Sequence, residues 1–464
     1  MRSRLIHIAV GFVAAFVLLA IADAWVQLAG RAGIQSHPGD PRRSESMADR
    51  GTLFDARGVP LAQSKGDKRV YSAGAALAQL VGYASPIYGD SGLEAGLDSI
   101  ISGKSAQPQS ILGPLFSGGP AAGQSAGGDV VLTLRADIAG VVDQALPDTV
   151  RGSAIVLDPR TGAVLAIVNR PTFDPNRLEE AWKSLRDRSD APLLDRGIAG
   201  LYPPGSTFKT VTVSAALDAG AIAPEDTFAD PGYFDVNGFK VHNNENEVTG
   251  TQDVTGAFAL SSNVDFAQIG VRLGLDDFYD YLNRFGVGAP VDAPVPVERD
   301  EVPAKSDVSQ SELAQMAFGQ AGLAVTPLRM AIVAASVANG GKLLQPQFVK
   351  QIRERGRAPI SMPPATGAQA ISAETADEVR SMMIAVVRYG TGTAARLPRV
   401  TVAGKTGTAT HPGGPPDAWF VCFAPAQSPR LVVAVVVEDA GYGGVVAAPI
   451  ARAILEGALP LYPR

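Results

Sequence analysis

The sequence predicts an α+β protein that carries an apolar segment at its N-terminus. Two apolar, β-rich runs flank Asp-Pro-Arg-Thr-Gly within residues 152–171, which indicates a hairpin. Two further strand-like runs, DAWFVCFAP (417–425) and LVVAVVVED (431–439), lie near the C-terminus. Helix-like segments lie between these two pairs. This order favours one mainly antiparallel sheet covered by helices.

The composition is that of an ordinary globular protein. The chain has 464 residues, of which 46% are hydrophobic and 19% charged, and its net charge is -6. This acidic balance gives no support for nucleic-acid binding, which usually requires a basic face. The single cysteine, Cys422, excludes an intramolecular disulfide, and the four histidines show no metal-ligand spacing. We therefore expect no metal site.

The N-terminal residues predict a membrane anchor. Arg2 and Arg4 precede LIHIAVGFVAAFVLLAIA, a run near the length needed to cross a bilayer, and the arginines would stay in the cytoplasm. The alternative is a cleaved signal peptide, because Ala22-Asp23-Ala24 resembles a cleavage site. The predicted segments are a cytoplasmic tail (1–4), a transmembrane anchor (5–24), a linker (25–49), a small mixed domain (50–127) and a larger domain (128–464).

The stretch LYPPGSTFKTVTV (201–213) contains a candidate nucleophile and its base. Two prolines and a glycine favour a helix start at Ser206, and the spacing of three places Lys209 on the same helix face. Partial burial lowers the pKa of a lysine, and a neutral lysine can take the proton of a serine. The structural alternative is that Ser206 caps the helix while Lys209 extends to water.

A second short pattern lies in ALSSNVDFA (259–267). Ser261 and Asn263 place a hydroxyl and a carboxamide on one loop. Such a pair can relay a proton and hold a substrate amide. By itself, however, Ser-x-Asn is more often a turn or a helix cap.

A third pattern, VAGKTGTAT (402–410), follows an apolar run and is predicted to lie on an edge-facing strand. Lys405, Thr406 and Thr408 would offer a cation and hydroxyl donors to a substrate carboxylate. Gly407 has no side chain, so a ligand would be able to lie flat against the strand. By itself Lys-Thr-Gly is most often an exposed turn.

In this order the three patterns resemble those of penicillin-binding proteins and serine β-lactamases. Other segments are similar to those of class B penicillin-binding proteins, namely RGTLFDARGVPLA (50–62), FGQAGLAVTPLRMAIVAASVANGG (318–341) and YGTGTAARL (389–397). The chain departs from that family at noncatalytic positions, which are Ala56, Ala321, Arg329 and Cys422. The resemblance implies a penicillin-binding transpeptidase domain at 128–464, with a five-stranded antiparallel sheet between helices. It implies a pedestal or dimerisation-like domain at 50–127.

The resemblance also implies an activity, that of a serine-type D-Ala-D-Ala transpeptidase that cross-links peptidoglycan stem peptides for division or elongation. Ser206 would form the acyl-enzyme and Lys209 would accept its proton. Ser261 and Asn263 would help to pass that proton to the leaving amine. The terminal carboxylate of the substrate would bind to Lys405, Thr406 and Thr408, and the backbone N–H groups of Ser206 and Thr408 would form an oxyanion hole.

The implied partners are peptidoglycan stem peptides, lipid-linked precursor glycan, β-lactam antibiotics and a polytopic membrane glycan polymerase. No cofactor is implied, and the catalytic domain would lie outside the cytoplasm on a single-pass anchor. Three alternatives remain at this point. A serine β-lactamase would not need the anchor and the N-terminal domain, and a β-lactam-sensing domain should carry more transmembrane segments. A noncatalytic scaffold of a wall-synthesis complex would have lost one of the pattern residues, and all are present here.

Overall fold

The computed structural model describes residues 47–103, 127–354 and 356–462. The predicted anchor at 5–24 lies outside these ranges, as does almost all of the predicted linker. Among the residues that the structure describes, no helix combines the length and the apolar character needed to cross a bilayer.

A five-stranded antiparallel sheet forms the centre of the larger region. Its strands are β1 (Gly152–Leu157), β2 (Val164–Arg170), β3 (Ala403–Ala409), β4 (Asp417–Ala424) and β5 (Leu431–Val437). Their spatial order is β3-β4-β5-β1-β2, so the two predicted strand pairs join through β5 and β1. β3 is an edge strand, as predicted for the Lys-Thr-Gly pattern.

The sequence of β5 explains why helices cover both faces of the sheet. LVVAVVV contains no polar residue, and all 7 residues of the strand are buried. A strand of this kind requires both of its faces to be removed from water. Helix Pro327–Ala338 and the C-terminal helix Ala447–Leu461 both pack against β5. The predicted α+β fold class is confirmed.

The remaining helices pack against this sheet, against the second sheet described below or against one another. The α-helices are Ala78–Val81, Gly92–Gly96, Asp98–Ile101, Ala136–Ala145, Leu178–Asp187, Arg196–Ala199, Lys209–Asp218, Val254–Leu260, Asn263–Leu273, Leu275–Arg284, Gln310–Met316 and Ala373–Arg388. Short 3-10 helices are Met47–Asp49, Gly74–Leu77, Pro175–Arg177, Gly205–Phe208, Asn244–Asn246, Lys305–Asp307 and Thr393–Ala395. Helix Lys209–Asp218 packs against helix Asn263–Leu273, and the turn Gly205–Phe208 packs against β3.

A second sheet joins the N-terminal region to residues far along the chain. Its six strands, in spatial order, are Ile360–Ser361, Val349–Arg353, Asp129–Leu132, Leu53–Phe54, Pro60–Lys65 and Lys68–Tyr71. The strand–turn–strand predicted for residues 50–64 is present. However, strands that follow residue 127 complete its sheet, and the first of them runs parallel to Leu53–Phe54. The predicted domain boundary at 127 therefore falls within one sheet.

Two-stranded ribbons account for the other strands of the described residues. They pair Ala84–Ser85 with Gly89–Asp90, Thr227–Asp230 with Gly250–Asp253, Phe234–Val236 with Phe239–Val241, and Lys342–Leu344 with Gly367–Gln369. Two of these ribbons lie between residues 227 and 253, just before the Ser261 segment. They place a compact loop region beside the start of helix Asn263–Leu273.

Candidate active site

Ser206 lies in a tight turn that precedes the predicted helix. The turn Gly205–Phe208 is a 3-10 helix, and the α-helix begins only at Lys209. Gly205 has a φ of 50°, a conformation that favours glycine, and a Cβ there would lie 2.8 Å from the carbonyl oxygen of Thr408. Glycine therefore allows the turn to approach β3, which holds Ser206 against the third pattern.

The hydroxyl and the backbone N–H of Ser206 are available for a substrate. No residue in the described part of the chain forms a hydrogen bond with either group within 3.5 Å. The Ser206 residue is nevertheless only 8% exposed. The spacing predicted that Ser206 Oγ and Lys209 Nζ would lie within reach of each other. In the structure, however, Lys209 Nζ forms its hydrogen bonds with other groups, described next.

Lys209 is completely buried and bonds to the second pattern. Its Nζ donates to the carbonyl oxygen of Ser261 at 2.5 Å and to Asn263 Oδ1 at 2.8 Å, and it lies 3.3 Å from Ser261 Oγ. Burial, and then the positive charge of Lys405, lower the pKa of Lys209 well below its usual range, while the carboxyl of Asp265 acts in the opposite direction. The neutral amine, which is the form that acts as a base, is favoured.

Ser261 connects the two lysines. It follows helix Val254–Leu260 in a left-handed conformation, with a φ of 64°. Its Oγ accepts a hydrogen bond from Lys405 Nζ at 2.8 Å and lies on the other side near Lys209 Nζ. A hydroxyl can accept and donate at once, so Ser261 is able to pass a proton between the two amines.

Lys405 is also completely buried, and its amine points into the protein. Besides its bond to Ser261, Nζ donates to the carbonyl oxygen of Thr406 at 3.1 Å. Burial lowers the pKa of Lys405 to about 7, so both protonation states are populated at neutral pH. Thr408, by contrast, is only partly buried, whereas Lys405, Thr406 and Gly407 are buried.

The third pattern is also held by residues that the motifs do not include. A Cβ on Gly407 would lie 2.8 Å from Thr207 Cγ2 and 2.9 Å from Trp419 Cβ. On the side of the strand where a Cβ would lie, the absence of a side chain at Gly407 makes room for the serine turn and for β4. Thr406 Oγ1 shares a hydrogen bond of 2.6 Å with Thr391 Oγ1. The three patterns did not identify Thr391 as a residue of the site. The one feature of the sequence that points to it is its place in YGTGTAARL.

The fold brings together one histidine and two acidic residues that chain spacing did not connect. His411 Nε2 lies 3.3 Å from Asp417 Oδ1 and 3.3 Å from Asp439 Oδ1, and Nδ1 contacts the carbonyl oxygen of Pro412. That carbonyl and the two carboxylates raise the pKa of His411. Although these three side chains include possible metal ligands, an imidazolium between two carboxylates accounts for their arrangement.

Two known sequence families match the chain. The penicillin binding protein transpeptidase domain matches residues 152–456, and the penicillin binding protein A dimerisation domain matches residues 50–125. The first match covers more than half of the chain and includes all three patterns.

Similar proteins and structures extend over nearly the whole chain. The peptidoglycan D,D-transpeptidase PbpA of Mycolicibacterium smegmatis is 32% identical, over 99% of this chain and 99% of its own length. A crystal structure of the D,D-transpeptidase domain of a peptidoglycan glycosyltransferase from Eggerthella lenta has a TM-score of 0.80 and 34% identity, over 89% of this chain and 98% of that one. The structure of penicillin-binding protein A from M. tuberculosis, as a penicillin G acyl-enzyme complex, has a TM-score of 0.78 and 32% identity. The match covers 88% of this chain and 99% of that one.

Proposed function

The chain belongs to the penicillin-binding protein transpeptidase family, and we propose that it is a peptidoglycan D,D-transpeptidase with Ser206 as its acylated nucleophile. One observation carries the proposal. Buried hydrogen bonds link Lys209 to Ser261 and Ser261 to Lys405. They lie next to Ser206, whose hydroxyl forms no hydrogen bond with a described residue. Three segments far apart in the chain supply these groups, so their meeting is a property of the fold.

The first chemical step is attack by Ser206 Oγ on the carbonyl carbon of the penultimate D-Ala. The proton of the hydroxyl passes to Lys209 Nζ as the C–O bond forms. A neutral lysine has two N–H groups, and the bonds to the Ser261 carbonyl and to Asn263 Oδ1 use both of them. The lone pair of the amine is then left to receive the Ser206 proton.

The tetrahedral intermediate carries a negative oxygen, which binds to the backbone N–H groups of Ser206 and Thr408. When the C–N bond breaks, the amine of the terminal D-Ala takes the proton that Lys209 received. Ser261 relays this proton, and Asn263 holds the amide of the substrate.

The terminal carboxylate of the substrate binds along β3. The hydroxyls of Thr406 and Thr408 donate to it, and the Lys405 ammonium adds positive charge behind the strand. Because the Lys405 amine is buried, we assign it a second role, which is to hold Ser261 and to exchange protons with it.

The acyl group is then transferred to a second stem peptide. An amine of that peptide attacks the acyl carbon and gives a proton to Lys209. Lys209 returns this proton to Ser206 Oγ as the acyl C–O bond breaks, which restores the serine and leaves a peptide cross-link. Every proton in this sequence belongs to a substrate or to a named side chain, so we expect the reaction to need neither a metal nor a cofactor.

We also propose how the chain is placed at the cell surface. Residues 1–4 are cytoplasmic, 5–24 form a single-pass anchor and 25–49 a linker, followed by a pedestal or dimerisation-like domain (50–127) and the transpeptidase domain (128–464). The N-terminal arginines and the apolar run support the anchor. The catalytic domain is then outside the cytoplasm, where lipid-linked precursor glycan is used and a polytopic membrane polymerase supplies the glycan strand.

The proposal is tested by replacing the nucleophile. Ser206→Ala removes one oxygen, so we expect a folded protein that no longer forms a covalent adduct with a fluorescent penicillin. Peptide mapping of the wild-type protein should place the adduct on Ser206. The matched control is Ser214→Ala, a buried serine in the α-helix that follows the Ser206 turn, which should keep the adduct. Labelling that persists in Ser206→Ala would exclude Ser206 as the nucleophile.

The same adduct separates a transpeptidase from a β-lactamase. In a transpeptidase the penicilloyl group is hydrolysed slowly, so intact-protein mass spectrometry after brief exposure should show one stable adduct per chain. Many turnovers of a chromogenic cephalosporin, with rapid loss of the adduct, would instead indicate a β-lactamase. Release of D-Ala from a stem-peptide analogue, with transfer to an added amine, would establish the transpeptidase reaction directly.

A further inference from the structure

Helix Asn263–Leu273 begins beside the two lysines, and its first N–H groups need acceptors. Ser262 Oγ accepts from the N–H of Asp265 at 3.0 Å, which is an ordinary helix cap. The N–H groups of Asn263 and Val264 are both bound by Asn243 Oδ1, at 2.7 Å and 3.1 Å. Asn243 belongs to the preceding loop region, so the start of the helix is attached to a separate segment.

The other end of the Asn243 amide is held as firmly. Its Nδ2 donates to Asp230 Oδ2 at 2.6 Å and to the carbonyl oxygen of Glu247 at 3.0 Å. Asp230 Oδ2 also accepts from the N–H and the hydroxyl of Thr249, at 2.9 Å and 2.8 Å. A carboxylate only accepts and a backbone N–H only donates, so one orientation of the Asn243 amide satisfies both sides. Asn243 and Asp230 are 8% and 2% exposed, which keeps water from replacing these bonds.

The residue next to Asn243 holds the side chain of Asn263. Asn263 Nδ2 donates to the carbonyl oxygen of His242 at 3.3 Å, while its Oδ1 accepts from Lys209 Nζ at 2.8 Å. His242 and Asn243 therefore bind Asn263 at its side-chain amide and at its backbone N–H. Together these contacts direct the amide oxygen of Asn263 towards Lys209.

We infer that Asn243 is a positioning residue for acylation, which acts through Asn263 to hold the Lys209 amine against Ser206. This inference rests on the function proposed above. Asn243 does not touch the reacting atoms, and its effect comes from fixing the first turn of the helix that presents Asn263. Lys209 loses one of its two short hydrogen bonds if that turn moves.

The inference is tested with Asn243→Ala in the full-length protein. The change leaves two helix N–H groups without their acceptor, so we expect the acylation rate constant at saturating penicillin to fall about 10- to 100-fold, as a small displacement of a reacting group does. The dissociation constant of the complex that precedes acylation should stay near its wild-type value, because penicillin binds to β3.

The matched control is Asn169→Ala. Asn169 is also buried, donates to a buried carboxylate (Asp195 Oδ1, 3.0 Å) and accepts from an N–H at a helix start (Gly197, 2.9 Å). It lies on β2, the edge of the sheet opposite β3. Asn169→Ala should lower the thermal unfolding midpoint and leave the acylation rate unchanged.

A double substitution distinguishes a positioning role from a structural one. If Asn243 acts through Asn263, Asn243→Ala should have little effect on acylation in an Asn263→Ala background. An equal loss in both backgrounds, or a wild-type rate in folded Asn243→Ala, would overturn the inference. If the alanine variant does not fold, Asn243→Ser gives the same comparison, and a wild-type rate in that folded protein also overturns it. Absence of an adduct on Ser206 in the wild-type protein would instead refute the proposed function.

Discussion

Two regions of the molecule bury positive side chains, and the groups that surround the charge differ between them. In the N-terminal region, the buried guanidinium of Arg50 bonds to Glu94 at 2.8 Å, Asp98 at 2.6 Å and Asp90 at 3.0 Å. Arg69 bonds to the second oxygen of Glu94 at 2.7 Å. In the active site, Lys209 and Lys405 bond to neutral oxygens, and among the described residues neither forms an ion pair within 4.0 Å.

The pKa shifts follow from these surroundings. Burial opposes the charged form of Arg50, but the attraction of Glu94, followed by the contacts with Asp90 and Asp98, raises the pKa of its guanidinium. For Lys405 no attraction to a carboxylate offsets the effect of burial, and burial lowers the pKa to about 7. The comparison indicates that burial alone does not define the role of a cation. Paired with carboxylates it is a structural group, and unpaired it becomes a proton acceptor.

The largest effect that we expect from this contrast is on Lys209. Lys209→Met should slow acylation by penicillin about 10²–10⁴-fold, because Ser206 loses its base. The free energy of unfolding should fall by no more than about 1–3 kcal/mol, because the change removes the donor to two oxygens but breaks no ion pair. Stopped-flow labelling and urea unfolding measure the two quantities, and the exposed Lys183→Met is the control that should alter neither. A loss of stability of about 3–5 kcal/mol in Lys209→Met, beyond what the two lost hydrogen bonds explain, would mean that the lysine is charged and paired, as Arg50 is.

Glu94 is the matching test in the N-terminal region. Glu94→Gln removes the carboxylate that Arg50 and Arg69 share. Arg50 keeps Asp90 and Asp98, but the buried Arg69 loses its bond to a carboxylate, and we expect the free energy of unfolding to fall by about 3–5 kcal/mol. Folded protein should still be acylated at the wild-type rate. Glu180→Gln is the control, because Glu180 pairs with Arg177 on the surface and should change stability by about 1 kcal/mol or less. Equal effects of the two substitutions would contradict the structural role of the cluster.

The most gradual effect that we expect is a pH dependence of stability. Between pH 7 and 10.5 the unfolded chain keeps a proton on Lys405 that the folded protein releases. The free energy of unfolding should therefore rise with pH across this window, by up to about 1.4 kcal/mol per pH unit. Below the window both states hold the proton, and this contribution to the slope vanishes.

Unfolding of wild-type protein and of Lys405→Met across this pH range isolates the contribution. The variant should be more stable than the wild type at pH 7 and should lose the part of the slope that Lys405 provides. Lys350→Met, which replaces a lysine on the surface, should retain the slope. A slope that Lys405→Met does not change would show that Lys405 keeps its proton when it is buried.

The sequence by itself determined the features that depend on neighbours along the chain. The hairpin at 152–171, the strand pair at 417–439 and the edge position of β3 all follow from periodicity and turn residues. The three short patterns also identified the residues that meet in the candidate site. The exact start of the helix did not follow, because the position of Gly205 against Thr408 makes Ser206 part of a 3-10 turn instead.

Only the tertiary structure decided which groups these side chains contact. Lys209 and Asn263 are separated by 54 residues, and Lys405 and Ser261 by 144, so no local pattern records that their atoms bond. The support of Asn263 by Asn243 and the carboxylates around Arg50 are likewise contacts between separate segments. A buried polar group must find a partner wherever the folded chain provides one. The residue types are visible in the sequence. The contacts that make one cation a structural group and another a base form only in the folded chain.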